Sequence, residues 1–421
     1  MNQSQVQEVV KGWGVARKMA YQVFGRHWQM SNLLASLRIH NAFVEEVSDG
    51  VDNSQQYLGA SAEDFVVFVL CFEHFVETDG RAKNLAGCLN LPLNQSNNNE
   101  LRKSMVAVWD RLTVELPEQQ TSQKEIGKYV ADLLAKNIGH QLFDKPILKR
   151  KQEDDHAYLL VAPKLLQWIA SVRLIQRFEA FLANHGEFCQ QSKKTLGGVR
   201  GRCFEQVIWE SLSNACNSEN EAIYRVDDFL LEKQPRPAAP DFVWIQGQKG
   251  IVIECKSRIG VGADIEMSDF TTFLNCSLCL EETSKRQMAP NNAWRKQLFP
   301  EIPELEAVQE WVGVVITLDE FVSFLGFEQI AKHFNWLQGT GLKGIRLASV
   351  AELEHFAHQS SCLEYFERIT QWWERIQFRN LRFGYPDFLE GITLELSPIG
   401  QRQQQELMDG IKERYFPKWK G

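Results

Sequence analysis

The stretch 240–256, PDFVWIQGQKGIVIECK, constrains the fold of this chain more than any other segment. Two runs rich in Val, Ile, Phe and Trp flank Gly247 and Gln248. Glycine at the first position of a two-residue loop favours a type II′ turn between antiparallel strands. The sequence therefore predicts a β-hairpin with a fixed register, in which the opposed pairs are Gln246 with Lys249, Trp244 with Ile251, Phe242 with Ile253, and Asp241 with Glu254.

This register places two carboxylates opposite each other. Directly opposed residues have Cβ atoms about 4.5–5.5 Å apart, and like charges at that separation are destabilising unless a cation compensates them. Lys256 follows Glu254 by two residues and so lies on the same face of its strand. The remaining residues of both strands are largely apolar, which indicates a buried hairpin. In the simpler alternative, Glu254 and Lys256 form an ordinary ion pair, and Asp241 is a turn residue after Pro240.

Composition narrows the class of protein. The 421 residues, of which 44% are hydrophobic and 24% charged, are typical of a folded globular protein of two or three domains. A net charge of −8 argues against a surface coated in basic residues but allows a local groove for nucleic acid. The nine cysteines are scattered, which is typical of reduced thiols, and the single close pair, Cys276 and Cys279, does not predict structural zinc.

Targeting signals are not apparent in the sequence. The N-terminal segment lacks the apolar core of a signal peptide, and no apolar run approaches the roughly 18 residues of a membrane span. We therefore expect a soluble, cytoplasmic protein with no membrane partner. No P-loop pattern is present, which argues against ATP or GTP hydrolysis.

Patterning divides the chain into three regions. Residues 1–190 are predicted to be mainly helical, with an N-cap at Ser61 and a capping box formed by Ser122 and Glu125. Two strands, KPILKRK and HAYLLVAP, are predicted within this region, and a long helix follows them. If these elements form a winged helix, the basic residues of the first strand lie near a phosphate backbone. In the simpler interpretation they form a solvated basic turn. These residues are Lys145, Lys149, Arg150 and Lys151.

Residues 191–350 are predicted to form an α/β core. A helix carries an apolar stripe with Glu205 at its edge, and a strand at 222–226 precedes the hairpin. A helix over 268–283, a buried strand over 311–318, a helix opened by Asp319 and a strand in GIRLAS follow. Residues 351–421 are predicted to be helical and rich in aromatics. There, Trp372 and Trp373 are interpreted as packing residues, with base stacking beside Arg375, Arg379 and Arg382 as the alternative.

The order of these elements resembles the PD-(D/E)xK, or restriction endonuclease-like, nuclease superfamily. The matching residues are Glu205 on the first helix, Pro240-Asp241 on one strand and Glu254-Cys255-Lys256 on the next. The resemblance covers about 198–350, roughly a third of the chain. It implies an α/β, restriction endonuclease-like mixed-sheet core flanked by helical N-terminal and C-terminal regions. The Gln-x-x-x-Tyr pattern of some exonuclease branches is missing.

The resemblance also implies roles for these residues. Asp241, Glu254, the backbone carbonyl of Cys255 and Glu205 would hold Mg²⁺, or Mn²⁺ as the alternative, and Lys256 would assist the attacking water. Glu205 is alternatively a surface residue, and four acidic residues could replace it: Asp227, Asp228, Asp264 and Glu266. The expected substrate groove includes Lys193, Lys194, Arg200, Arg202, Arg258, Lys285 and Arg286, each of which is alternatively a solvated surface charge.

The leading hypothesis is a Mg²⁺-dependent deoxyribonuclease, in which the flanking regions select DNA, a protein partner or a second copy of the chain. A role in restriction or anti-phage defence follows only by association. The alternative is a catalytically inactive nucleic-acid-binding or assembly subunit that retains the nuclease fold. RNA remains open as the substrate, because no feature of the sequence recognisably reads a 2′-hydroxyl.

Overall fold

The hairpin lies within a mixed five-stranded sheet. The computed structural model describes residues 30–48, 53–69, 99–115, 145, 147–151, 156–160, 166, 169–184, 193–215, 220–230, 237–257, 280–318, 327–333, 335–376, 388, 392 and 394–415. The strands are β1 Thr113–Glu115, β2 Ile147–Lys151, β3 His156–Leu160, β4 Glu221–Arg225, β5 Phe242–Gln246, β6 Lys249–Lys256, β7 Glu310–Thr317 and β8 Leu342–Ala348. The larger sheet has the order β4-β5-β6-β7-β8, antiparallel from β4 to β6 and parallel from β6 to β8.

Labelled helices lie before, between and after these strands in the described part of the chain. They are α1 Met30–Ser48, α2 Asn99–Leu112, α3 Val172–Asn184, α4 Lys193–Ser213, α5 Ala293–Leu298, α6 Phe327–His333, α7 Val350–Gln359, α8 Cys362–Arg375 and α9 Pro398–Tyr415. A further helical segment occupies 62–69, and short helical turns lie at Ser54–Tyr57, Asp227–Leu230, Leu280–Glu282, Thr283–Gln287 and Glu304–Ala307. The mixed α/β class predicted from the sequence is confirmed.

The predicted hairpin register is confirmed for three of its four pairs, and the predicted pair of Asp241 with Glu254 lies beyond the end of the ladder. Gln246 pairs with Lys249, Trp244 with Ile251 and Phe242 with Ile253. Gly247 has a φ of +59°, whereas Gln248 is not among the described non-glycine residues with positive φ. Positive φ at the first loop position alone is the signature of the predicted type II′ turn.

The buried strand predicted over 311–318 is observed as β7. It is hydrogen-bonded to β6 on one side and to β8 on the other, and only Glu310 among its residues is not buried. Gly250 of β6 pairs with Trp311, and a Cβ atom at Gly250 would lie 2.5 Å from the indole ring. Glycine is therefore required at this position because the tryptophan ring fills the space of a side chain.

The two faces of the sheet enter two hydrophobic cores. One face carries Phe242, Trp244 and Ile253, which belong to a core shared with helices from both ends of the chain. The opposite face carries Val243 and Val252, which pack near α5. The first core includes buried residues from α1, α3, α4, α7, α8 and α9. Residues from all three predicted regions therefore contribute to one continuous core.

Glu354 of α7 joins segments that are far apart in the sequence. Its side chain is 1% exposed and accepts hydrogen bonds from Arg38 of α1 at 2.8 Å and from Ser211 of α4 at 2.7 Å. Its second oxygen accepts from Ser397, the residue before α9, at 3.0 Å. This buried carboxylate is satisfied on both oxygens, so it fixes the three helices relative to α7.

The N-terminal region contains the two predicted strands. β2 and β3 pair antiparallel from Ile147 with Leu160 to Lys151 with His156, and β1 lies parallel to β2. The predicted N-cap is also confirmed, because Ser61 Oγ accepts the amide N–H of Asp64 at 3.1 Å. The predicted capping box at Ser122 lies outside the described residues, as do the turn between β2 and β3, the cysteine pair and the N-terminal half of the helix predicted from Asp319.

Trp372 and Trp373 pack as predicted. The Trp372 ring meets the Phe388 ring edge to face, with ring centroids 5.9 Å apart. Trp373 lies over Gly344 of β8, where an added Cβ atom would be 3.0 Å from the Trp373 Cβ. Packing against the sheet therefore accounts for this aromatic pair, while Arg379 and Arg382 fall outside the described residues.

Arg346 of β8 is a fully buried cation. Its guanidinium forms two hydrogen bonds to the Glu352 carboxylate, at 3.0 and 2.8 Å, and one to Glu328 at 2.6 Å. The Tyr365 hydroxyl donates to Glu352 at 2.9 Å, and the guanidinium lies 4.1 Å from the centre of the Phe388 ring. The network connects β8 to α6, α7 and α8.

Arg346→Met is expected to lower the free energy of unfolding by about 3–5 kcal/mol, because it leaves two buried carboxylates without their cation. Lys343→Met is the matched control on the same strand. Lys343 pairs with Glu310 at the surface, where its side chain is 49% exposed, and its loss is expected to cost no more than about 0.5 kcal/mol. Urea denaturation followed by tryptophan fluorescence measures both, and equal effects of the two substitutions would contradict this prediction.

Candidate active site

Asp241, Glu254 and Lys256 meet at one end of the sheet, where β5 begins and β6 ends. Asp241 directly precedes β5, and its backbone carbonyl accepts the amide N–H of Val226 at 3.0 Å. Its carboxylate oxygen Oδ2 accepts the amide N–H of Cys255 at 2.6 Å. The aspartate is therefore held by backbone groups of two neighbouring segments, which fixes its position beside Glu254.

Burial raises the pKa of Asp241 to about 6, and the hydrogen bond from Cys255 and the charge of Lys256 oppose this rise. The Cys255 side chain is itself buried, and burial raises the pKa of its thiol well above the usual value. The thiol is therefore protonated and inert. The predicted role of the Cys255 carbonyl as a metal ligand stays a prediction.

Glu254 is the most buried carboxylate of the site, with 2% of its surface exposed. Oε1 accepts a hydrogen bond from Lys256 Nζ at 2.7 Å, whereas Oε2 is buried and has no hydrogen-bond partner in the described structure. Burial, followed by the nearby Asp241, raises the pKa of Glu254 to about 8, and Lys256 opposes the rise. The ion pair between Glu254 and Lys256, which the simpler interpretation predicts, is therefore present. It leaves Oε2 of this buried carboxylate without a hydrogen-bond partner among the described residues.

Lys256 has a second partner that sequence reasoning missed. Its ammonium donates to Gln287 Oε1 at 3.1 Å. Gln287 ends a π-helical turn, Thr283–Gln287, in which the amide N–H of Met288 donates to the carbonyl of Thr283 at 3.0 Å. Single π-helical turns are rare and occur often at functional sites. The local sequence TSKRQ carries no signal for this turn, because the widened hydrogen-bond spacing depends on tertiary packing.

Glu205 of α4 approaches the same end of the sheet. The helix passes close to the residue after β6, since a Cβ atom at Gly201 would lie 3.7 Å from Ser257 Oγ. Burial raises the pKa of Glu205 to about 7, with further contributions from Asp241 and Asp227. The structure thus brings Glu205 and Asp227 within electrostatic range of Asp241. Among the other acidic candidates, Asp228 is exposed, and Asp264 and Glu266 lie outside the described residues.

We refer to Glu205, Asp227, Asp241 and Glu254 as the carboxylate cluster. The cations that act most strongly on its members are Lys256 and Arg225. Four carboxylates and two cations leave two negative charges uncompensated when every group is ionised. That deficit equals the charge of one divalent cation. Burial is the largest cause of the raised pKa values of three members, and the neighbouring carboxylates add to it.

The donor set limits the kind of metal site that is compatible with this end of the sheet. Among the residues that the structure describes, no three His, Cys, Asp or Glu side chains are placed to hold a metal ion together. Mg²⁺ takes oxygen ligands, keeps several waters and commonly uses one or two protein carboxylates. Asp241 and Glu254, with the unpartnered Oε2, are suited to Mg²⁺ or Mn²⁺ but not to a closed three-ligand site.

Several basic residues predicted to surround a substrate groove are engaged by carboxylates. Arg200 binds Glu179 at 2.6 Å, and Lys285 binds Glu281 at 2.7 Å. Arg202 contacts Glu46, and Arg286 contacts Glu282. The side chains of Lys193 and Lys194 and the whole of Arg258 lie outside the described part of the structure. A basic groove formed by these residues stays a prediction.

Comparison with protein-family models, with curated proteins and with solved structures finds no match. None of the described helices is both long enough and apolar enough to cross a membrane. The interpretation of the site therefore depends on its own geometry and charge.

Without a bound cation, the free energy of unfolding is expected to fall as the pH rises from about 5 to 8. The folded chain keeps protons on carboxylates whose pKa values are raised, Glu254 to about 8 from an ordinary 4.5, whereas the unfolded chain has already lost them. A decrease on the order of 2–4 kcal/mol is expected. Mg²⁺ is expected to raise the melting temperature more at pH 8 than at pH 5.

Differential scanning fluorimetry across this pH range, in EDTA and in Mg²⁺, measures both effects. Glu254→Gln is expected to flatten the pH dependence and to weaken the Mg²⁺ effect. Glu281→Gln, at a partly exposed carboxylate paired with Lys285, is the control and is expected to leave both unchanged. A wild-type melting temperature that rises toward pH 8 in EDTA would show that the cluster is not destabilising.

Proposed function

We propose that this chain is a metal-dependent nuclease that hydrolyses phosphodiester bonds in DNA. The observation that carries the proposal is the buried, unpartnered Oε2 of Glu254 beside the fixed carboxylate of Asp241. A carboxylate oxygen in that state requires a cation or a donor for compensation. The order of α4, β4, the β5-β6 hairpin and the parallel β7 further supports the resemblance to the PD-(D/E)xK superfamily.

Each side chain has a role that its contacts support. Asp241 and Glu254 would hold Mg²⁺, and Glu205 would orient its waters or contribute a further oxygen. Mg²⁺, when bound, supplies positive charge that draws electron density from a phosphate oxygen. Hydrolysis adds the hydroxyl of water to phosphorus and breaks one P–O ester bond, and the departing oxygen takes up a proton.

Lys256 is positioned to act on the attacking water or on the phosphate. Its ammonium has three N–H donors, of which Glu254 and Gln287 receive two. The third can donate to a water or to a phosphate oxygen, where it stabilises the negative charge that develops in the transition state. Gln287 is a positioning residue in this scheme, because it acts through Lys256.

The alternative is a nucleic-acid-binding or assembly subunit without catalytic activity. One observation favours it: Lys256 already donates a hydrogen bond to Glu254, and among the described residues no three acidic, His or Cys side chains are placed to hold a metal ion together. This alternative requires binding of nucleic acid without metal-dependent cleavage.

The three central side chains are expected to be essential for cleavage. Asp241→Asn, Glu254→Gln and Lys256→Met should each lower the rate of DNA cleavage in Mg²⁺ by at least about 100-fold, the typical cost of removing one group that stabilises the transition state. EDTA should abolish cleavage by the wild-type chain. Gel assays with plasmid DNA, linear DNA and RNA measure the rates and distinguish the substrates.

Asp228→Asn is the matched control for this experiment. Asp228 is exposed and lies three residues beyond the end of β4, and its substitution is expected to leave the rate within about twofold of wild type, as is usual for surface changes. Equal cutting by wild type and the three central variants, or cutting that persists in EDTA, would refute the proposed function. Intact binding with no cleavage would favour the alternative.

Gln287→Leu is expected to lower kcat by about tenfold with little change in KM, because one hydrogen bond to a charged group positions Lys256. Gln287→Glu keeps an acceptor and should retain more of the activity. Gln309→Leu, at an exposed amide next to the first residue of β7, is the control. If Gln287→Leu has wild-type kcat, the hydrogen bond to Lys256 has no part in catalysis.

A further inference from the structure

Arg225 is a cation beside the carboxylate cluster that sequence reasoning did not single out. It is the last residue of β4 and pairs with Phe242, the residue after Asp241. The next residue, Val226, donates its amide N–H to the Asp241 carbonyl at 3.0 Å. The backbone of Arg225 is therefore fixed next to the residue that anchors the proposed catalytic site.

The contacts of Arg225 differ from those of the other described arginines near α4. Its Nη1 donates to the neutral amide oxygen of Gln206 at 3.1 Å, and no carboxylate in the described structure forms an ion pair with it. Arg200 and Arg202, by contrast, are each bound to a glutamate. Most of the five N–H donors of the Arg225 guanidinium thus remain available to an anion.

The β4 edge of the sheet is more exposed than the opposite edge, which β8 forms. All five residues of β4 are partly exposed, whereas only Lys343 among the residues of β8 is exposed and the other six are buried. An anionic ligand that approaches the cluster meets several carboxylates, so a cation at the entry side is needed to hold it. Arg225 is the one cation among the residues of β4.

We propose that Arg225 binds a phosphate group of a nucleic acid, next to the scissile position, and that the nucleic acid reaches the cluster along the β4 edge of the sheet. The guanidinium fork matches two phosphate oxygens and offsets the repulsion of the neighbouring carboxylates. This inference rests on the proposed function for its substrate class and concerns binding, which is measured separately from cleavage.

The test measures binding of fluorescein-labelled DNA and RNA oligonucleotides by fluorescence anisotropy, in EDTA, between about 50 and 200 mM NaCl. Arg225→Gln is expected to weaken binding roughly 10-fold at low salt and to reduce the slope of log K against log[salt] by about one, as expected for one lost phosphate contact. Arg225→Lys keeps the charge and should retain the wild-type slope.

Lys343→Gln is the matched control, because it removes one positive charge from β8, at the opposite edge of the sheet, at a residue that is already paired with Glu310. It is expected to leave the slope unchanged. The inference is overturned if Arg225→Gln keeps the wild-type affinity and slope, if both glutamine variants change the slope equally, or if the wild-type chain binds neither nucleic acid. Thermal melting confirms that each variant is folded.

The two proposals fail in different ways. A wild-type chain that binds but does not cut in Mg²⁺ refutes the nuclease, while the slopes still decide the role of Arg225. A wild-type chain that cuts DNA, with an Arg225→Gln variant of unchanged slope and KM, supports the nuclease and overturns the phosphate contact.

Discussion

Strand β6 is hydrogen-bonded on both sides, and its register determines where Glu254 and Lys256 lie relative to Asp241. The Gly247-Gln248 turn fixes β6 against β5, and the indole of Trp311 over Gly250 restricts how β7 can lie against β6. Because side chains alternate along a strand, a slip of one residue would move Glu254 and Lys256 to the face that now holds Ile253. The fold therefore specifies the site through backbone pairing, before any interaction between the charged groups contributes.

Buried charges in this protein follow two different arrangements. Arg346 and Glu354 are surrounded by partners that satisfy them, so their burial supports a unique packing of the helices. Glu254 is equally buried but has an oxygen without a described partner, and it lies among like charges. The fold pairs Arg346 and Glu354 fully but leaves one oxygen of Glu254 unpaired by the described residues. That oxygen destabilises the fold locally, so a contribution to stability does not explain the burial of Glu254. Such strain is typical of sites that bind a ligand.

Local patterns predicted the hairpin, its register, the buried β7 and the strands β2 and β3, because turn chemistry and continuous apolar runs act over a few residues. Arg225 and Gln287 were not predicted, because each depends on how distant elements pack, and Asp227 was predicted only as an alternative to Glu205. The π-helical turn and the shared core likewise have no local signature. Glu205 was identified from the order of elements, but its half-buried position beside Asp241 required the structure.

The contacts of α4 have a consequence for how the chain can be divided. This helix carries Glu205 near the cluster and, six residues later, Ser211, whose hydroxyl donates to Glu354, the carboxylate that also binds Arg38 of α1. Its apolar side packs in the core that also receives α9. A fragment limited to 191–350 would lose α1, α7 and α9 from that core, and Glu205 would lose the packing that orients its helix. The helical ends of the chain thus support the carboxylate cluster through the core that they share with α4.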